Sequence, residues 1–368
     1  MTDRTLSAIV LAAGAGTRMK SERPKPLHML AGRTMVQYML DSLSECETGP
    51  VVVVVGHGAE RVTKKLQSAE PDLDLTFVEQ TRQLGTGDAA SVGLTGLPDD
   101  DLERDDEDVI VLPGDMPLLR SSTIAALVDM HRETDAAGTV LTAVVPDPGS
   151  LGRIVRGKDG QVVRIVEASD CTDEEREIDE INTAVYCFKR SVLAPALRRL
   201  TPENAQGEYY LTDVISVLRS AGYKVSALVV DDAAEGEGIN DRVQLAAAEA
   251  ELRRRTNERW LRAGVTFVDP ATTYLDTTVT LDEDVTLFPG TLLQGNTVVG
   301  KGSEIGPHTT LVDCVVAPGA VIQQSNAKEA EIGAGAVVGP FAVLAPGSAV
   351  SEGTTTGPFY AGVSPDES

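Results

Sequence analysis

The stretch Leu11-Ala-Ala-Gly-Ala-Gly-Thr-Arg-Met19, followed by Lys20, Arg23, Pro24 and Lys25, carries the residue types that bind phosphate. Gly14 and Gly16 let the backbone approach a ligand closely and leave amides free to point at phosphate oxygens. A helix starting just after the loop would add its partial positive charge. Residues 17–25 hold Arg18, Lys20, Arg23 and Lys25 against Glu22 alone, a basic island in a chain of formal charge -24. A solvated basic turn is the competing reading, and a polyphosphate site is the stronger one. The loop is not a Walker A, because no Gly-Lys-Ser/Thr follows. It is also an incomplete dinucleotide fingerprint, since Met19 stands where a third Gly belongs. Farther on, Asp115 follows the apolar run 109–112, at a strand end where open α/β sheets place their ligands.

The elements that must position these residues are legible from their patterning. Residues 7–14, 51–55 and 109–112 are unbroken apolar runs, as strands of a parallel sheet covered on both faces require. Between them, 35–44 and 59–67 have helical spacing, so strand alternates with helix and the fold class is α/β, doubly wound and Rossmann-like. Residues 242–262 lack Gly and Pro and predict a connector helix of about 20 residues. Beyond it small and β-branched residues recur every six positions, as in Leu293, Val299, Ile305 and Leu311. That period predicts a short left-handed parallel β-helix of hexapeptide repeats, with roughly four coils counted from Val279. The expected organisation is a first domain over 1–241, the connector over 242–264, the β-helix over 265–356 and a polar tail over 357–368.

With 42% hydrophobic residues the chain can bury a sizeable core. No run of about 18 apolar residues exists, so no membrane span is expected. The strong acidity disfavours nucleic acid and anionic membranes as partners. Cys46, Cys171, Cys187 and Cys314 lie far apart, which fits reduced thiols in a cytoplasmic protein better than disulfides or a zinc site. The acidic runs 99–108 and 170–180 are expected at the surface. His28 reads as a packing or hydrogen-bonding residue beside the loop, His57 as a turn residue, His131 and His308 as surface residues, and Trp260 as packing.

The glycine-rich stretch through Met35 resembles the signature loop of sugar-nucleotide pyrophosphorylases. It is most similar to the bifunctional family that acetylates glucosamine-1-phosphate and uridylylates N-acetylglucosamine-1-phosphate. The likeness continues in order through Gln83-Leu-Gly-Thr-Gly87, Leu112-Pro-Gly-Asp-Met-Pro-Leu118, Gly152-Arg-Ile154, Ile165-Val-Glu167, Glu180-Ile-Asn-Thr183, Asn204-Ala-Gln-Gly-Glu-Tyr-Tyr-Leu-Thr-Asp213 and Glu237-Gly-Ile-Asn-Asp-Arg242. The resemblance implies Mg²⁺-dependent transfer of uridylyl from UTP to N-acetylglucosamine-1-phosphate, for cell-wall precursor synthesis. It implies that Leu11, Ala12, Ala13 and Gly14 contact the uracil and phosphates, and that Gln80, Gly85 and Thr86 read the uracil edge. Pro113, Gly114 and Asp115 would also contact the nucleotide. Gly152, Glu167 and Asn182 would hold the sugar. Asp115 and Asn240 would bind the metal, and Arg18 and Lys25 would be catalytic. For Asp115 a plain turn residue, and for Asn240 a helix N-cap, are the competing readings.

Two positions depart from the family: Leu151 stands where Tyr usually precedes Gly-Arg-Ile, and Pro113 where Tyr or Ser is frequent. Both bear on which sugar is taken. The resemblance also implies a longer β-helix with acetyltransferase residues that have no counterpart here, so that activity is expected to be absent. A homotrimer through the β-helix is expected, with a monomer as the alternative. Two other functions compete: a nucleotidylyltransferase for a different sugar phosphate or nucleotide, and a non-catalytic scaffold that binds a UDP-sugar.

Overall fold

Apolar runs without alternation need cover on both sides, and the residues 4–69, 73–98 and 107–362 that the computed structural model describes show how it is supplied. The chain divides into two units, one of residues 1–28 and 34–245, the other of residues 29–33 and 246–368. In the first unit the main sheet runs in the order Val225–Val229, Gly138–Val144, Glu180–Lys189, Glu107–Pro113, Thr5–Ala12, Val51–Val55 and Leu75–Glu79. Neighbours pair in parallel except Glu180–Lys189, which is antiparallel to both flanking strands. Val51, Val53 and Val55 belong to one apolar cluster and Val52 and Val54 to another, so a single valine strand feeds the cores on both faces. The helices Met35–Ser44 and Ala59–Gln67 stand where spacing placed them. From Thr5–Ala12 the chain builds outward through Val51–Val55 and Leu75–Glu79, then returns to place Glu107–Pro113 on the other side. This reversal opens a crevice at the carboxyl ends of the two central strands.

Four expectations need correction. No long helix follows the glycine-rich loop. A single 3-10 turn, Thr17–Met19, stands there, because Lys20 turns left-handed (φ 48°) and Pro24 and Pro26 interrupt the next residues. Positive charge in this region therefore comes from side chains rather than a helix dipole. Secondly, the acidic run is not wholly a surface loop. Residues 99–106 lie outside the described residues, but Glu107 and Asp108 open a central strand and Asp108 is fully buried. Thirdly, His131 is buried on the inward face of the helix Ser121–Thr134. Its Nδ1 lies 2.9 Å from Thr139 Oγ1 and its Nε2 3.4 Å from Asp108, so a polar partner on the strand accounts for its burial. The second acidic stretch is mostly exposed, with Glu175 turned inward by the capping box it forms with Thr172.

The fourth correction concerns the second unit, where short strands stack as a left-handed parallel β-helix in three sheets of five, six and five strands. It contains five complete coils and part of a sixth rather than four. The first coil begins at Thr266–Phe267, and the turn Pro270–Thr272 breaks the hexad spacing there. At the other end Ala361–Gly362 still pairs with Val343–Leu344, within the stretch expected as tail. Leu275, Leu293, Leu311, Ala327 and Leu344 form one inward column. The helix Arg242–Arg262 spans 21 residues, with Trp260 packed against the coil core. His308 is exposed, His57 lies in a turn, and the four cysteines are free thiols.

Candidate active site

Strand register begins the site. Leu11 lies opposite Pro113, so the glycine-rich loop and the Gly114-Asp115 turn leave the sheet side by side, tied by Gly114 N–H donating to Leu11 O at 2.9 Å. Gly16 adopts φ +61°, and a Cβ there would stand 2.7 Å from Lys25 Cβ. Only glycine lets Lys25 cross the loop so closely. Gln83 Nε2 donates to Ala13 O at 3.0 Å and pins the other side of the turn.

Residue 240 arrives from far along the chain because Ile239 N–H donates to Asp115 O at 3.0 Å. The Asn240 amide nitrogen donates to Gly238 O at 3.3 Å, which turns its Oδ1 toward the cations. That oxygen accepts from Lys25 Nζ and from Arg18 Nη2, each at 2.9 Å. Lys25 Nζ also forms an ion pair with Asp115 Oδ2. Asn240 does not cap the helix that follows: the amides of Val243 and Gln244 donate to Asp241 Oδ1 at 2.8 and 2.9 Å. The carboxylate and amide oxygens of Asp115 and Asn240 converge on one cationic point, and this pair could hold a hard cation. Among the described residues no group of three or more His, Cys, Asp or Glu side chains is placed to hold a metal by itself.

A cleft of about 530 Å³ runs from this cluster between the glycine-rich loop and the far side of the sheet. Arg18, Lys25, Leu11, Ala12, Ala13, Gly14, Gln80, Gly85, Thr86, Pro113, Gly114, Asp115, Glu167, Asn182 and Asn240 all line it. Gly152 does not. It sits behind the wall, its carbonyl accepting from Asn182 N–H at 2.9 Å. Of the basic island only Arg18 and Lys25 reach the cleft, while Lys20 and Arg23 stay exposed beside it.

Polar side chains around the cleft are held in defined orientations. Asn182 Oδ1 accepts from Ala184 N–H and from Tyr186 O–H, both at 3.0 Å, which leaves its amide nitrogen for a ligand. Burial pushes the Tyr186 phenol well up, so it remains a donor. Glu167 accepts from Thr212 Oγ1 at 3.2 Å. Burial raises its carboxyl above the ordinary range, the Thr212 bond opposes this, and nearby Asp213, Asp170 and Glu208 raise it further. Thr86 Oγ1 accepts from Leu211 N–H at 3.0 Å, binding two cleft walls together. His28 is buried, its Nδ1 3.4 Å from Arg242 Nη1. Burial lowers its pKa, and the charges of Arg242 and Arg23 add to this. Asp88 and Tyr186 were not singled out from sequence, and their parts depend on the folded loops. Gln83 lies in the Gln-Leu-Gly-Thr-Gly block, and Glu208 and Thr212 in the block Asn204–Asp213, so these three carried a signal without an assigned role.

Residues 8–218, more than half of the chain, match the model of the MobA-like NTP transferase domain. Over 358 residues the chain is 47% identical to the bifunctional protein GlmU of Rhodococcus opacus (strain B4), covering 96% of this chain and 71% of that one. It belongs to the GlmU family. The bifunctional protein GlmU of Heliobacterium modesticaldum (strain ATCC 51547 / Ice1) is 43% identical over 353 residues, covering 96% of this chain and 75% of its own length. That of Bifidobacterium longum (strain NCC 2705) is also 43% identical over 353 residues, covering 96% and 76%. The NTP transferase match spans the glycine-rich loop, Asp115 and Asn182 but ends before Asn240. In this GlmU family member the last element of the cationic cluster thus lies beyond the matched domain.

Proposed function

We propose that this chain is a sugar-1-phosphate uridylyltransferase that takes UTP and N-acetylglucosamine-1-phosphate and releases UDP-N-acetylglucosamine and pyrophosphate, with magnesium as cofactor. The observation that carries the reading is the meeting of Lys25, Arg18, Asp115 and Asn240 in a cleft that Gln80, Glu167 and Asn182 also line. The cationic cluster suits a triphosphate, and the amides and carboxyl that share the cleft suit a base and a sugar. A phosphate oxygen of the sugar phosphate forms a bond to the α-phosphorus of UTP. The bond from that phosphorus to the bridging oxygen breaks, and pyrophosphate leaves with the electron pair. No protein nucleophile is needed, so the residues act by alignment and by charge.

Lys25 and Arg18 would turn from Asn240 and Asp115 to the phosphates as UTP enters. Asn182 would donate to the sugar and Glu167 would accept from its hydroxyls. The donor set of Asp115 and Asn240 fits magnesium, a hard ion that needs few protein oxygens and draws the rest from water and phosphate. When bound it would supply neutralisation of charge on the triphosphate and the leaving group. The free thiols and the lack of any described helix able to cross a membrane are compatible with a cytoplasmic site of action. A homotrimer through the β-helix remains part of the proposal, as does the absence of acetyl transfer from these 368 residues. The coils hold a single histidine, His308, in an exposed left-handed corner at φ 50°.

Pyrophosphate release tests the assignment. UTP with N-acetylglucosamine-1-phosphate is run beside other nucleoside triphosphates and beside glucosamine-1-phosphate and glucose-1-phosphate, with and without magnesium. Turnover with the first pair is expected to lead. A better rate with another pair, or binding without turnover, would overturn it. Thiol release from acetyl-CoA with glucosamine-1-phosphate checks the acetyl-transfer statement, and none is expected.

A further inference from the structure

Gln80 lines the cleft and is only 5% exposed, so its amide orientation decides what the cleft presents to a ligand. Its Nε2 donates to Asp88 Oδ2 at 2.7 Å and to Gly85 O at 3.2 Å. Both partners are acceptors, the carbonyl always and an ionised carboxylate likewise. An amide turned the other way would set its oxygen against two oxygens. Oε1 is therefore the outward end, and no described residue donates to it. The loop is held around this pair. Gly85 has φ +113°, and a Cβ there would come 2.5 Å from Tyr209 O, so the backbone that offers Gly85 O cannot easily shift.

An acceptor facing a pyrimidine pairs with the N3–H of uracil and opposes the N3 lone pair of cytosine. We infer that Asp88 is a positioning residue that locks the Gln80 amide with its oxygen toward the base and so makes the cleft select uracil over cytosine nucleotides. This rests on the reading of the cleft as a UTP site. Asp88 also stands in the first turn of the helix Thr86–Leu94, where a carboxylate stabilises the N-terminus. That structural role would alter stability and leave the choice of base untouched.

The test measures binding of UTP and CTP by calorimetry and pyrophosphate release from each with N-acetylglucosamine-1-phosphate. The proteins compared are wild type, Asp88→Asn, Asp88→Ala, Gln80→Ala and the Gln80→Ala/Asp88→Asn double variant. Asparagine at position 88 can donate as well as accept, so it tolerates either orientation of Gln80. The preference for UTP over CTP is expected to fall about tenfold in Asp88→Asn and Asp88→Ala, the scale of one lost hydrogen bond. The change should lie in KM, with kcat for UTP largely kept. In the Gln80→Ala background the same substitution should change the preference no further. An unaltered preference in both single variants, or an additional fall in the double variant, overturns the role of Asp88 while leaving the assignment of function intact. A wild type that binds neither nucleotide, or favours CTP, overturns both.

Discussion

At the scale of single residues, Lys25 is the centre of the site: its ammonium is shared between the Asp115 carboxylate and the Asn240 amide oxygen. Removing it takes away one preorganised cation and leaves two oxygens facing each other. Lys25→Ala is expected to lower turnover at least about 100-fold, the cost of losing one such electrostatic donor. Pyrophosphate release measures this, and near-normal turnover would remove Lys25 from the mechanism. The basic loop and the strand-end Asp115 could be picked out in the sequence because few side-chain types suit a phosphate or a hard cation, whereas Asn240 was marked only by the family resemblance. Asn240 shows where such reading stops. An Asn just before a helix suits an N-cap as well as a ligand, and the N-cap reading falls only because Asp241 takes that place in the folded chain. Gln83 and Asp88 carry no chemistry by type that marks them. They matter through the carbonyl and amide they meet in the folded loop.

At the scale of elements, Asp108 joins the strand Glu107–Pro113 to the helix Ser121–Thr134. It accepts from Arg132 Nε at 2.9 Å and faces His131 at 3.4 Å. Burial raises its carboxyl, but the nearby His131 ring and the Arg132 hydrogen bond outweigh this and hold it below the ordinary value of 3.8. A carboxylate depressed in this way stabilises the fold above its unfolded value, and that stability is lost as pH falls through the folded value. Asp108→Asn is expected to lower the unfolding free energy at neutral pH by about 3 kcal/mol, as when a buried pair loses one partner. Urea unfolding curves should show the difference from wild type narrowing once the pH drops below about 4. A constant difference across the acid range would show that Asp108 does not act through its charge. An acidic run reads as a solvated loop by composition alone. Which of its residues begin a strand depends on the pairing of Glu107 with Thr5 and Asp108 with Leu6, a register that no local pattern encodes.

At the scale of the whole molecule, the second unit is a stack in which strands pair only with the coil before and the coil after. Leu311 is fully buried in that stack. Leu311→Ala is expected to cost the β-helix about 2 to 5 kcal/mol, read from denaturant unfolding of the coils. Amide exchange should quicken most in the coils beside it, as nearest-neighbour coupling requires. A formal charge of -24 adds self-repulsion that salt screens. The melting temperature is therefore expected to rise between about 0.05 and 0.5 M sodium chloride, measured by calorimetry. The hexad stack, the alternation of buried strands with helices and the basic glycine-rich loop were all determined by the sequence alone, because periodicity and side-chain chemistry are local properties. Five coils rather than four, the burial of His131 and the meeting of Lys25 with a residue 215 positions away were decided by the tertiary structure. Strand order and register bring together groups that lie far apart along the chain, and whether a polar side chain is buried depends on which partner it then meets.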